Sequence, residues 1–284
     1  MTPGYEYALL AMLLLGLADL AYKRGAAAGV QAHRFLMVQA WCFTPAVVLF
    51  GLATGTLEPG KPMAWGMGAG LFAFVALYNF ARSLKTGSVS LVAPIFRLSF
   101  TVTAVLAVVI LGEPMTAYRL AGLALALAAV WLLLGAEAGA VPAAGAARRS
   151  LAQAVVAMAA MGVANFLYKV GAQTGGSPAS FIAGQAFTFL PLATAFSWRV
   201  DGGLRTTRAA WLHAGAAAAL FLVALILLFE SLARGEASVL VPISQMGFVV
   251  TAAFGLAFLG EPFTLRKIAG LAFALAALAS LANS

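Results

Sequence analysis

The stretch LGEPMTAYRLAG at residues 111–122 is written again as LGEPFTLRKIAG at residues 259–270, with seven of twelve positions identical at an offset of 148 residues. In each copy the glycine, Gly112 or Gly260, suits the left-handed position just past a helix end, where a side chain would crowd its own backbone. Pro114 and Pro262 forbid that helix to continue. Thr116 and Thr264 are placed to accept the free N–H groups that open the next helix. The motif reads as a tight reversal between two helices, made twice. Glu113 and Glu261, inside it, read as solvated loop carboxylates in preference to gating acids.

Outward from the motif the chain is apolar on both sides. Of its 284 residues 63% are hydrophobic and 9% charged, a balance that would leave large apolar patches on any soluble domain of this size. A span needs about 20 apolar residues to cross roughly 30 Å of hydrocarbon at 1.5 Å per residue. That ruler gives ten segments, at 5–24, 35–55, 64–84, 88–111, 117–136, 150–170, 179–198, 209–232, 237–259 and 265–282. They are too long and too rich in Leu, Ala and Phe for membrane strands, which alternate over about ten residues. The expected fold is all-α and integral to the membrane, with ten transmembrane helices. The opening MTPGYEY lacks a basic n-region and a small-residue cleavage site, so the first apolar run is expected to be a retained span.

The repeat reaches beyond the paired turns. Gly16, Tyr22, Lys23, Gly25, Gln39 and Pro45 return 146 residues later as Gly162, Tyr168, Lys169, Gly171, Gln185 and Pro191, and Ser83, Gly87, Ser90, Pro94 and Thr103 return 148 residues later as Ser231, Gly235, Ser238, Pro242 and Thr251. A two-residue insertion near Asp201 and Gly202 accounts for the change of offset. Two five-helix repeats are therefore expected, at 1–136 and 150–284, joined by an Ala/Gly/Pro linker at 137–149. Five is odd, so the second copy enters the membrane from the opposite side and the repeats are inverted. Such halves can exchange conformations, which is the architecture of alternating access.

Net charge is +8, but the basic residues stand singly or in pairs at span ends, which argues against nucleic acid. Loops after odd-numbered spans hold Lys23, Arg24, Arg34, Arg82, Lys85, Arg148, Arg149, Arg199, Arg205, Arg208, Arg266 and Lys267, twelve in all, against four (Lys61, Arg119, Lys169 and Arg234) after even-numbered spans. The positive-inside rule then puts the odd loops in the cytoplasm and both termini outside. Cys42 is the lone cysteine, and His33 and His213 are solitary, so no metal site or cofactor is called for. The GxxxG spacing in GMGAG, residues 66–70, suits close helix approach and lacks the context of a nucleotide-binding fingerprint. No ATPase motif appears, so transport would draw on an ion gradient or a partner. Nothing in the sequence calls for more than a monomer in the lipid bilayer.

With its paired G-E-P turns, five-plus-five spans and length, the chain resembles the EamA-type members of the drug/metabolite transporter superfamily over nearly its whole length. Within that superfamily its size and general character resemble the bacterial YddG-type exporters of amino acids and metabolites. The resemblance implies a carrier of the bacterial inner membrane with a central cavity made by both halves. It also implies both termini in the cytoplasm, opposite to the charge count. The small multidrug members of the superfamily rely on a first-helix glutamate about one turn deeper than Asp19; Leu15 and Met161 occupy that place here, so the role is not carried over.

Polar side chains inside the spans are the candidates for a site, since an ionised group near a helix centre costs about 2.5–3.5 kcal/mol on insertion scales. Arg97 lies mid-span three residues after Pro94, and its repeat counterpart is Gln245, three after Pro242. A proline kink beside a cation could bind a substrate carboxylate; alternatively Arg97 pairs with Asp19 to hold the bundle. Asp19, with Asn165 as its counterpart, is a candidate for proton coupling or for a structural pairing with Arg97 or Lys23. Tyr78, Asn79 and Arg82 share one helical face. Glu230 occupies the place equivalent to Arg82, toward the opposite membrane face, where each could contribute to a gate or simply be partnered near a helix end. Tyr78 and Tyr168 offer a ring with a polar tip, and Gln185, like Gln39, is a helix-to-helix or ligand hydrogen-bonder. The expected substrate-binding set is thus Tyr78, Asn79, Arg97, Asn165, Tyr168, Gln185 and Gln245, and the gating or coupling set is Asp19, Arg82 and Glu230.

The expected function is export of small metabolites, amino acids first, by a secondary carrier. Drugs, nucleotide derivatives and sugar derivatives are the alternative cargoes. Less favoured alternatives are an integral-membrane enzyme or lipid-handling protein, against which carboxylates and histidines do not cluster at catalytic spacing, and a channel. The inverted topology has a direct measurement: with Cys42 replaced, single Met115→Cys and Phe263→Cys variants should be labelled from opposite sides of the membrane, position 115 from outside. Labelling of both from one side would remove the inversion.

Overall fold

The computed structural model describes the backbone of residues 3–86, 89–134, 144–258 and 264–284. Among these residues the chain is helical throughout, without a strand. The helices are α1 (Tyr5–Ala27), α2 (Ala32–Ala53), α3 (Lys61–Thr86), α4 (Val89–Arg97), α5 (Ser99–Leu111) and α6 (Ala117–Leu134), then α7 (Ala144–Gln173), α8 (Pro178–Asp201), α9 (Arg208–Arg234), α10 (Ala237–Gln245), α11 (Gly247–Phe258) and α12 (Leu265–Ala282). Nine stretches among the described residues are long and apolar enough to cross a bilayer, and Ala117–Leu133 is a shorter apolar helix. With α4 and α5 forming one crossing and α10 and α11 another, the chain makes ten. Both termini then lie at one membrane face, the terminus face, and the end of α6 and the start of α7 lie at the other, the linker face. The second half's first helix begins at Ala144, earlier than the expected 150; the Ala and Arg residues of AGAARR favour helix, although Gly145 does not.

Local chemistry explains the helix ends. Gly112 closes α5 with φ +69°, and Thr116 accepts the backbone N–H of Arg119 at 3.2 Å to open α6, as the motif predicts. In the second copy Thr264 caps α12 through the N–H of Lys267 at 3.3 Å; Gly260, Glu261 and Pro262 lie outside the described residues. Ser177 and Thr207 cap α8 and α9 in the same way.

The expected unbroken spans at 88–111 and 237–259 are each divided in two. Their breaks fall at Leu98 and Met246, four residues after Pro94 and Pro242. A proline donates no backbone hydrogen bond, and the turn after it tightens to compensate. Accordingly the N–H of Leu98 reaches Ile95 O at 3.1 Å, and that of Met246 reaches Ile243 O at 3.1 Å.

Exchanging the halves maps the main helix contacts onto one another, although α10 packs on α5 without an equivalent contact of α4 on α11 among the described residues. Helix α1 packs on α9, α10 and α11 of the other half, and its counterpart α7 packs on α3, α4 and α5; α2 meets α8 and α6 meets α12 across the same axis. Individual bonds repeat as well. Thr103 Oγ1 donates to Gly162 O at 3.0 Å, and Thr251 Oγ1 donates to Gly16 O at 3.0 Å. Lipid offers helices no hydrophobic reason to associate, so close backbone approach and hydrogen bonds must hold them. The GxxxG glycines serve that purpose: a Cβ on Gly66 would collide with Phe181 O, one on Gly70 with Gln185 O, and one on Gly184 of α8 with Met63 O. Exposed Leu49, Val109, Leu212 and Leu265 face outward, as do Trp65, Trp131, Trp198 and Trp211 near helix ends, the arrangement expected of lipid-facing residues and interfacial aromatics.

The α3–α8 seam can be tested by adding a side chain. Gly66→Val should lower stability in detergent by about 3 kcal/mol, the upper range of overpacking. Gly68→Val, which meets only Leu167 Cδ1 at 3.4 Å, should leave the melting temperature near wild type.

Candidate functional site

The two helix breaks put polar side chains near the bilayer midplane. Arg97, the last residue of α4, donates from Nη2 to Asp19 Oδ2 of α1 at 2.5 Å. Their side chains are 24% and 27% exposed. Both stand about 4.5 Å from the centres of their spans at the helical rise, on the linker-face side. Sequence left Arg97 between a ligand role and a pairing role, and the geometry joins it to Asp19.

The second half repeats this contact with neutral groups. Gln245 Nε2 donates to Asn165 Oδ1 at 3.5 Å, and the pair lies on the terminus-face side of the midplane. Asn165 is 5% exposed, and its Nδ2 has no hydrogen-bond partner among the described residues. A second duplicated cluster lies beside each pair. Tyr22 donates to Gln39 and stacks on Phe35, while Tyr168 donates to Gln185 and packs on Phe181. Tyr168 is 3% exposed, so in this conformation its hydroxyl and Gln185 join α7 to α8.

The other expected residues lie nearer the membrane faces. At the linker-face end of α3, Arg82 Nη1 donates to Tyr78 Oη at 2.9 Å with its guanidinium 5.5 Å from the ring centroid. Tyr78 packs edge-on against Phe196 at 4.9 Å. Asn79 turns back to the Val75 carbonyl of its own helix at 2.8 Å. At the opposite face Glu230 pairs with Arg234 one turn on, and Arg234 lies 4.5 Å from the Tyr7 ring centroid.

The terminus face holds a buried network that sequence reading missed. Glu113 is 8% exposed, not a solvated loop carboxylate: its Oε1 and Oε2 accept the N–H groups of Ala237 at 2.9 Å and Ser238 at 2.8 Å. Those are opening amides of α10, in the other half. Glu236, in the ordinary capping position, makes no capping bond; its carboxylate pairs instead with Arg119, which is 5% exposed and also donates to Pro114 O at 2.5 Å. Lys169 Nζ donates to Leu232 O at 2.9 Å and Gly235 O at 2.5 Å, the closing carbonyls of α9. An anion thus meets the positive end of one helix and a cation the negative end of the next. The signal available was repetition, since Glu113, Lys169 and Ser238 all recur at their paired positions as Glu261, Lys23 and Ser90.

Two halves of one design, each with a helix broken mid-membrane and polar groups at the break, define a multi-pass membrane transporter. The comparisons make the family specific. The chain belongs to the EamA-like transporter family, whose model matches residues 2–135 and 148–282, and which falls within the drug/metabolite transporter superfamily. Comparison with curated proteins finds no match. One solved crystal structure is similar over 98% of this chain and 95% of its own, with a TM-score of 0.80 at 19% identity, a likeness of fold.

Removing the trans-capping carboxylate should expose its contribution. Glu113→Ala leaves two buried amides unanswered and should destabilise by about 2 kcal/mol or more. Hydrogen exchange at residues 237–240 should accelerate, whereas exposed Glu58→Ala should change neither property; unchanged exchange at α10 would remove the capping role.

Proposed function

We propose that the protein is a secondary carrier of the bacterial inner membrane that exports small amphiphilic metabolites, amino acids first among them, by alternating access. One observation carries the mechanism: equivalent parts of the two halves are closed to different degrees. Ile243, Ser244 and Met246 of the second broken helix are buried, while their equivalents Ile95, Phe96 and Leu98 are half-exposed. Asn165 is buried where its equivalent Asp19 is a quarter exposed. Since the main helix contacts map onto one another, exchanging these two degrees of closure between the halves would turn access from one membrane face to the other.

At the terminus face Glu113, Lys169, Arg119 and Glu236 tie down the ends of α9 and α10. With the basic loops cytoplasmic, cargo would enter from the linker face, the side of the midplane on which Asp19 and Arg97 lie. Such cargo meets Asp19 and Arg97 at the break between α4 and α5. Arg97 supplies a guanidinium for a carboxylate, and Asn165 holds an unused donor on the far side of the midplane, available to an acceptor on the substrate. Tyr78, Asn79 and Arg82 flank the entry; Glu230, paired at the closed face, is a candidate gate. Asp19 is the carboxylate placed to balance charge or carry a proton. One chain holds the complete site, so a monomer suffices.

The test is counterflow in proteoliposomes with a panel of labelled amino acids, with and without a pH gradient. Saturable counterflow above empty vesicles is expected, and Arg97→Ala should reduce it at least tenfold, on the order of the charge-assisted contact removed, while the protein keeps its gel-filtration profile. Flux without saturation or counterflow would make the protein a pore; no flux of any amino acid would overturn the cargo assignment.

A further inference from the structure

We propose that Asp19 and Arg97 act together as a charge-balance filter that admits zwitterions, the substrate's ammonium going to Asp19 and its carboxylate to Arg97. This rests on the carrier reading above and narrows its cargo. The pair is only half used. Among the described residues a single hydrogen bond joins it, from Arg97 Nη2 to Asp19 Oδ2 at 2.5 Å, leaving Asp19 Oδ1 and most of the guanidinium N–H groups to other partners. Arginine carries five such donors. A quarter of each side chain is exposed, and the bond joins α1 to α4 within the first half.

Charge bookkeeping makes the selection. Together the two groups are neutral, and they lie about 4.5 Å from mid-span, where an uncompensated charge is expensive. A zwitterion entering the pair trades one ion pair for two and leaves no net charge. An amine of the same shape would satisfy Asp19 and strand Arg97; an acid would satisfy Arg97 and strand Asp19. Each removal leaves a charge without its partner in a low-dielectric setting.

The second half is an internal control. Asn165 and Gln245 occupy the equivalent positions as neutral amides and still meet each other at 3.5 Å. The fold therefore accommodates this contact without charge, and the charges of the first half are free to serve recognition. The same comparison supplies a variant, because Asp19→Asn with Arg97→Gln writes the second half's pair into the first.

The experiment is competition counterflow in proteoliposomes, with each amino acid of the panel set against its decarboxylated amine and its deaminated acid. In the wild type each one-charge analogue should compete less well than the zwitterion by on the order of tenfold or more. Asp19→Asn should shift preference toward the acid, Arg97→Gln toward the amine, and the double variant should lose the discrimination while keeping the wild-type melting temperature. Equal competition by either analogue in the wild type, or single variants whose preferences do not move in opposite directions, would overturn the filter. Counterflow of a nucleotide or sugar derivative with no amino acid competing would also overturn it and leave the carrier standing; absence of counterflow for every compound would remove both.

Discussion

The bond from the carboxylate of Glu113 to the opening amides of α10 states the constraint under which the whole bundle is built. A helix that begins or stops where water is scarce leaves backbone groups unanswered, and each must find a partner within the protein. This chain interrupts two of its ten crossings and must therefore satisfy additional helix ends. At the terminus face side chains from other elements supply the partners: a carboxylate from the first half answers the amides of α10 across the repeat, and a lysine from α7, within the second half, answers the carbonyls of α9. The halves are thereby interlocked, since the end of one element is completed by a side chain from another. Polar bonds take this part because apolar contact alone distinguishes poorly between a neighbouring helix and lipid.

The same demand explains why chemistry collects at the breaks. Proline removes the bond that would have carried each helix through, the turn tightens, and the residue just before the break is left beside a gap in the backbone ladder. In one half that residue is Arg97 with Asp19 opposite; in the other it is Gln245 with Asn165 opposite. In the proposed carrier, duplicated geometry with unlike side chains would separate what the fold needs from what cargo needs. The Tyr–Gln–Phe clusters and the reciprocal threonine bonds are retained in both copies, as structural parts should be, whereas charge at the break appears only once.

Much of this was legible in the chain itself. Composition and span length announce the membrane, and the repeated G-E-P turn announces the duplication, because glycine, proline and threonine each act on the local backbone. The partnership of Arg97 and Asp19 could be anticipated because buried charges of opposite sign seek one another. The helix breaks were harder to see: proline marks a disturbance but does not say whether the helix bends or divides. Glu113 was misjudged for a different reason. Its partners are 124 and 125 residues away, and no local pattern reveals that a turn will be folded under a helix of the opposite half. Tyr168 and Gln185 similarly bond to each other through the approach of two helices, which spacing along the chain does not disclose.

The unequal furnishing of the two ends bears on how long such a machine rests in each posture. Glu236, which clasps Arg119 at the terminus face, has Ser88 as its counterpart in the other copy. Halves with identical latches would divide their time evenly between facing in and facing out. In the carrier proposed above, a carboxylate at one latch where the other has a hydroxyl would weight the two postures unequally, and an idle carrier would then keep a preferred stance.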